Sequence, residues 1–228
     1  TLCQSITSQQ ILPEDERARV IDEILYDKFN NLLPELMDKA DIDMWLLISR
    51  EYNEDPVLRT MLPATWLNAR RRTILLFYRD RVKNTIEKLA VARYNVGKNI
   101  ESAWDKEKQP NQWKALVEII SKRDPKSIGI NYSRDFGILD GIVKTDYEAF
   151  LKVLPPEYKT RVTSAEKLAI AHVVYSEILV DGLVHNGEIN ALTKLMSRID
   201  FDSNIIVQAR NIDLKHALLI LKKMTASK

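Results

Sequence analysis

A chain of 228 residues with 45% hydrophobic and 29% charged side chains has room for one large core or two small ones, and is neither collagen-like nor disordered. Its 34 Lys and Arg stand against 32 Asp and Glu, a formal net charge of +2, so no basic surplus asks for a nucleic-acid backbone as partner. The one cysteine, Cys3, excludes a disulfide framework and a thiolate-rich metal cluster.

Residues 1–10 (TLCQSITSQQ) are small, polar and uncharged, and read two ways. They suit the cleavage end of a secretory signal, which would make the protein periplasmic or secreted, and equally a frayed terminus of a cytoplasmic one. No apolar run approaches the roughly 20 residues of a membrane-spanning helix, so no integral membrane segment is expected.

Pro13 followed by Glu14, Asp15 and Glu16 marks a helix start, with the acids where the helix dipole favours them. Val20, Ile21, Ile24, Leu25, Phe29, Leu32, Leu33, Leu36 and Met37 continue it as one apolar stripe, with a kink expected near Pro34. Met44 to Ser49 is apolar at consecutive positions, the mark of a strand covered on both faces, and Thr73 to Tyr78 repeats it. Ile86, Leu89, Val91 and Tyr94 suggest a third strand. Residues 111–122 have helical period, 127–132 form a short strand after Asp124-Pro125, 145–154 a further helix, and 161–163 a last short strand. Strands alternating with helices predict an α/β fold, a mixed sheet with flanking helices.

After Ser164 the texture changes. Only helical periods follow, all three histidines (His172, His185, His216) lie there, and none of the four tryptophans does. This predicts a small all-α unit over residues 165–228 behind an α/β domain over 11–164, with 1–10 outside both.

Most catalytic signatures are missing. Six scattered glycines build no G-x-G-x-x-G or phosphate loop, no G-x-S-x-G elbow occurs, and no two histidines share a helix face. Three constellations stand out. Asp181, His185 and Glu188 around Gly182 and Gly187 could hold a divalent cation, or simply cap two successive helices. Arg70-Arg71-Arg72 after Trp66 could clamp an anion or a peptide carboxylate, or be a solvated run leading into the Thr73 strand. Arg50, Tyr52 and Asn53 directly follow a strand, where α/β sheets place binding loops, and equally suit an ordinary polar connection. Trp45, Trp104 and Trp113 read as core aromatics, whereas Trp66, between Pro63 and the arginines, reads as a surface or interface residue.

The string Ile42 to Pro56 (IDMWLLISREYNEDP) resembles the N-terminal domain of aminopeptidase P-like proteins, members of the creatinase/prolidase metallopeptidase family. Leu62 to Trp66, Ala69 to Leu75, Ile128 to Ser133 and Ser164 to Leu168 continue the likeness, which spans residues 11–169. The resemblance implies an α/β domain that shapes substrate access and oligomer contacts. Hydrolysis in that family belongs to a C-terminal domain, where two Asp, one His and two Glu hold a pair of divalent metals (Mn, Co or Zn). Those ligands have no counterpart in these 228 residues, so no catalytic residue and no cofactor are carried over to this chain. The expected partners are a second copy or a catalytic metallopeptidase domain, with peptide met indirectly. Arg50, Tyr52, Asn53, Trp66 and Arg70 are the residues expected to face substrate or interface. A catalytic half supplied elsewhere would make the chain part of an Xaa-Pro aminopeptidase. The tail, Ile178 to Gly182 with Glu188 and then Ile212 to Lys222, is similar to part of the TerB-like helical domain. That likeness implies a stress-response module in which Asp181 and Glu188 associate with a metal.

Overall fold

Pro13 opens the first helix of the computed structural model, which describes residues 13–180 and Lys194. Helix α1 (Glu14–Asp27) begins with three acids in its first turn and runs through one turn of π-helix (Lys28–Leu32) into α2 (Leu33–Lys39). The irregularity anticipated near Pro34 takes this form. Pro34 sits in the first turn of α2 without an N–H to donate, and just before it the Leu33 N–H reaches back five residues to the Lys28 carbonyl. The helix ends on Asp41, which at φ 51° lets the Ile42 N–H close on the Met37 carbonyl at 3.0 Å.

The sheet has six strands in the order β4-β3-β2-β1-β5-β6: β1 (Met44–Arg50), β2 (Arg72–Asp80), β3 (Thr85–Ala90), β4 (Glu101–Ser102), β5 (Ile128–Ile130) and β6 (Val162–Ser164). β2 is antiparallel to β1 and to β3, whereas β1–β5, β5–β6 and β3–β4 are parallel, so the sheet is mixed. β1 lies at its centre and is buried from Met44 through Ser49. Its side chains alternate between two cores, as the strand period requires. Trp45 and Leu47 join Leu75 and Phe77 of β2 under α1, α2, the short helix α3 (Pro56–Arg59) and the start of α7 (Glu166–Val180). Met44, Leu46 and Ile48 join Ile74 and Leu76 under α4 (Gln112–Arg123) and α5 (Lys144–Val153). The remaining helix, α6 (Pro156–Lys159), is a single turn that buries Tyr158.

The expected third strand stops at Ala90; Val91 is buried beyond it, but residues 91–94 bend and Tyr94 is 44% exposed. The expected 127–132 strand is shorter, Ile128–Ile130. The two-residue β4 and the Pro56–Arg59 helix carry too few residues for a period to register. Helix α4 starts where Asn111 accepts hydrogen bonds from the N–H groups of Trp113 (2.9 Å) and Lys114 (3.2 Å), an N-cap. Beyond Ser164 the first core continues without a break: Ala165, Leu168, Ala169, Ile170 and Ala171 are all buried in it. Among the described residues no helix is long and apolar enough to cross a membrane.

Candidate functional site

The antiparallel register sets Arg50, last in β1, directly opposite Arg72, first in β2. Like charges facing each other across a ladder repel, and the fold answers with one carboxylate. Asp146, in the first turn of α5 and fully buried, accepts from Arg50 Nε (2.6 Å) and Nη2 (2.8 Å) and from Arg72 Nη1 (3.1 Å). Arg72 also donates from Nε to Gln112 Oε1 at 2.9 Å and packs over the Trp113 ring, its Cζ 4.3 Å from the centroid. Gln112 in turn donates to the carbonyls of Arg72 and Val91. Burial alone would raise the Asp146 carboxyl, but the hydrogen bonds from Arg50 and Arg72 outweigh it and hold the group below its ordinary range. The Asp146 hydrogen bond likewise raises Arg50. This knot locks the sheet to α4 and α5.

A second polar chain crosses to the opposite face. Trp45 Nε1 donates to Asn131 Oδ1 (2.8 Å), and Asn131 Nδ2 donates to Asp55 Oδ2 (2.7 Å). Asp55 caps α3 by accepting from the Val57 N–H (2.8 Å), while its own N–H donates to Ser49 Oγ (3.0 Å). The carboxyl is fully buried, and desolvation lifts it to about 6 in spite of these donors. Gly141 presses on it so closely that a Cβ there would lie 2.2 Å from the Asp55 Cγ. On α7, His172 packs its ring 5.2 Å from that of Trp45. Burial, and then the charge of Lys28, drive His172 well below its ordinary value. Lys28, on the π turn, donates from Nζ to the Thr60 carbonyl (2.7 Å) and is lowered by burial to about 7.

At the same end of the sheet, the loop after β1 is tied to the loop before β2. The Glu51 N–H donates to the Arg71 carbonyl at 2.7 Å, and the Arg71 N–H donates to Glu51 Oε2 at 2.9 Å. Tyr52, at φ 68°, is the third residue of the tight turn in which the Asn53 N–H closes on the Arg50 carbonyl; Tyr52 is 91% exposed and Asn53 is exposed. Trp66 is half-buried and Arg70 exposed. Arg70 Cζ lies 4.7 Å from the Trp66 ring centre and 5.6 Å from that of Tyr94, and the two rings are 5.7 Å apart, tilted by 55°. Three nearly equal distances describe a triangle, so the guanidinium rests against both rings and is not sandwiched between them. The segments that carry Trp66 and Tyr94 approach closely, because Gly97, at φ 65°, leaves room for the Pro63 ring that any Cβ would strike at 2.7 Å.

The residues singled out in the sequence therefore fall into separate places. Arg50 belongs to the Asp146 knot with 46% of its side chain exposed, Tyr52 and Asn53 to the neighbouring turn, and Trp66 and Arg70 to the aromatic stack. Of the three consecutive arginines, Arg72 is an internal tie, Arg71 is fastened through its backbone, and Arg70 is presented to solvent. Tyr94, Asp146, Asn131 and Asp55 complete these clusters from segments the sequence gives no reason to join; Asp55-Pro56, a capping pair ahead of a helix, is the one local signal. Asp181 and Glu188 lie outside the described residues, as do Cys3 and most of the helical tail. Among the described residues no three His, Cys, Asp or Glu side chains converge as a metal ion requires.

No protein-family model matches the chain, and no curated protein does. Among solved structures it is similar to an Xaa-Pro dipeptidase from Bacillus anthracis, with 17% sequence identity and a TM-score of 0.36. The match covers 78% of this chain and 39% of the dipeptidase chain, so it spans well under half the length of that protein.

Proposed function

We propose that this chain is the non-catalytic α/β portion of an Xaa-Pro-aminopeptidase-like metallopeptidase, serving peptide access and subunit assembly around a catalytic centre carried elsewhere. The observation that carries this reading is the Trp66–Arg70–Tyr94 stack, an oriented, solvent-facing group at the same end of the sheet where Arg50, Arg72, Asp146 and Asp55 are already engaged inside the fold. The family-like strings support it by position. Ile42 to Pro56 builds the central strand and the Asp55 cap, and Leu62 to Trp66 with Ala69 to Leu75 carries the chain through the stack into β2.

Two measurements test it. The purified chain, given an Xaa-Pro dipeptide with Mn²⁺ or Co²⁺, is expected to show no turnover; turnover that persists after Asp181→Ala and Glu188→Ala would overturn the non-catalytic assignment. Sedimentation equilibrium is expected to show self-association that Trp66→Ala with Arg70→Glu weakens at least fivefold. A monomer at every concentration removes the assembly role.

A further inference from the structure

A carboxyl sealed inside a fold is favoured there in its neutral form, and its ionisation draws water through whichever wall yields first. Asp55 is fully buried. Gly141 covers it, so close that a Cβ there would lie 2.4 and 2.5 Å from the two carboxyl oxygens. Residues 133–142, which carry this glycine, cross from one core to the other: Leu139 is buried in the first and Ile142 in the second. Their hydrogen bonds are local. Ser133 Oγ accepts from the N–H groups of Asp135 and Phe136, and the Leu139 N–H donates to the Phe136 carbonyl. The Ile142 N–H donates to the Asn131 carbonyl at 3.0 Å, so Asn131 holds this segment by its backbone and Asp55 by its side chain. The other walls are fixed, β1 by the ladders on both its sides and α3 by Val57 and Leu58 in the core. The segment over the carboxyl is the wall that can yield.

We infer that residues 133–142 form a pH-sensitive strap, seated through Gly141 on the neutral Asp55 carboxyl and loosened when that carboxyl ionises. Burial is what raises the acid, to about 6, and the groups that act against it are neutral donors: Asn131 and the N–H groups of Val57 and Leu58. The charged groups of the surrounding elements are engaged or turned to solvent. Arg59 on α3, Lys167 on α7 and Arg134, Asp135 and Asp140 on the strap are exposed, and Glu166 is half-buried. Glu54 accepts from the Tyr52 N–H, and Arg50 is held by Asp146. His172 and Lys28 are both lowered by burial, so each favours the folded state more as pH rises and opposes a loosening. Asp55 alone runs the other way.

Native-state hydrogen exchange at the N–H groups of Leu139 and Ile142 tests it. From pH 5 to pH 7.5, corrected for intrinsic exchange, their protection is expected to fall about tenfold, the change produced when an acid at about 6 returns to 3.8 on opening. The fall is expected to persist unchanged in about 1 M urea, as a local opening requires, whereas Leu47 and Leu75 in the sheet exchange by a urea-dependent route. Asp55→Asn, which keeps a capping side chain and cannot ionise, is expected to hold protection within about twofold over the same interval. Gly141→Ala, which wedges a methyl under the strap, is expected to expose both N–H groups equally at the two pH values and serves if Asp55→Asn fails to fold. Protection that does not change with pH in the wild type overturns the inference. So does a tenfold fall retained in either variant, or one that follows the urea dependence of Leu47 and Leu75, which would mark unfolding of the whole domain.

Discussion

Arg70 and Arg72 are two residues apart and have opposite surroundings. Arg72 enters β2 opposite Arg50, and the fold supplies Asp146 to hold both, with Gln112 and Trp113 closing around the guanidinium. Arg70 is also oriented by aromatic rings, yet no carboxylate of the described fold answers it. An aromatic surface under a guanidinium is therefore common to a structural and a presented arginine. What separates them is whether the chain brings its own anion.

The most severe way to break this contrast is to remove that anion. Asp146→Ala leaves two arginines facing each other at the ends of the two central strands and is expected to cost about 3–5 kcal/mol in urea unfolding. A loss below about 1 kcal/mol would mean that solvent already screens the pair. The second buried carboxyl behaves with the opposite sign. Asp55 has its folded value raised from 3.8 to about 6, so its protonated form favours the native state. Its contribution is therefore fullest below about pH 4 and is lost as pH rises through 6, a swing of about 3 kcal/mol. Wild type is expected to gain on Asp55→Asn by about 2 kcal/mol of that swing between pH 6.5 and pH 4; a pH-independent difference would show the carboxyl to be well solvated. Gly141→Ala is smaller, costing about 2 kcal/mol by pushing a methyl into the Asp55 carboxyl, and Asp55→Ala is expected to relieve most of it.

The sheet was legible in the sequence because its central strands are apolar at consecutive positions, which only a strand covered on both faces tolerates in a chain of this composition. Met44 to Ser49 and Thr73 to Tyr78 fall within β1 and β2 for that reason. Tyr94 was misplaced into β3 because an aromatic three positions beyond Val91 extends the apolar run on paper, and nothing local shows that the backbone bends after Ala90 to offer the ring to Arg70. The clusters were hidden for a more general reason. Asp146 lies 96 residues from Arg50, and Asn131 lies 76 from Asp55. Pairings at such separations depend on strand register and helix placement, which no window along the chain contains. Trp66 beside Arg70 was visible because four residues separate them.

The smallest effect on stability sharpens the contrast most. Arg72→Gln takes a donor from Asp146 and another from Gln112, and is expected to cost about 2 kcal/mol. Arg70→Gln removes only an exposed cation–π contact, and less than about 1 kcal/mol is expected. In self-association the order reverses: Arg70→Gln is expected to weaken it, while Arg72→Gln, once folded, retains it. Measured together by denaturation and sedimentation, the two variants form a crossed pair. If both properties moved in parallel in the two proteins, position relative to Asp146 would not be what divides the arginines. A crossing would show that one run of three like residues is partitioned by the fold into an internal tie and a presented fork, with the turn at Arg71, φ 54°, as the point of division.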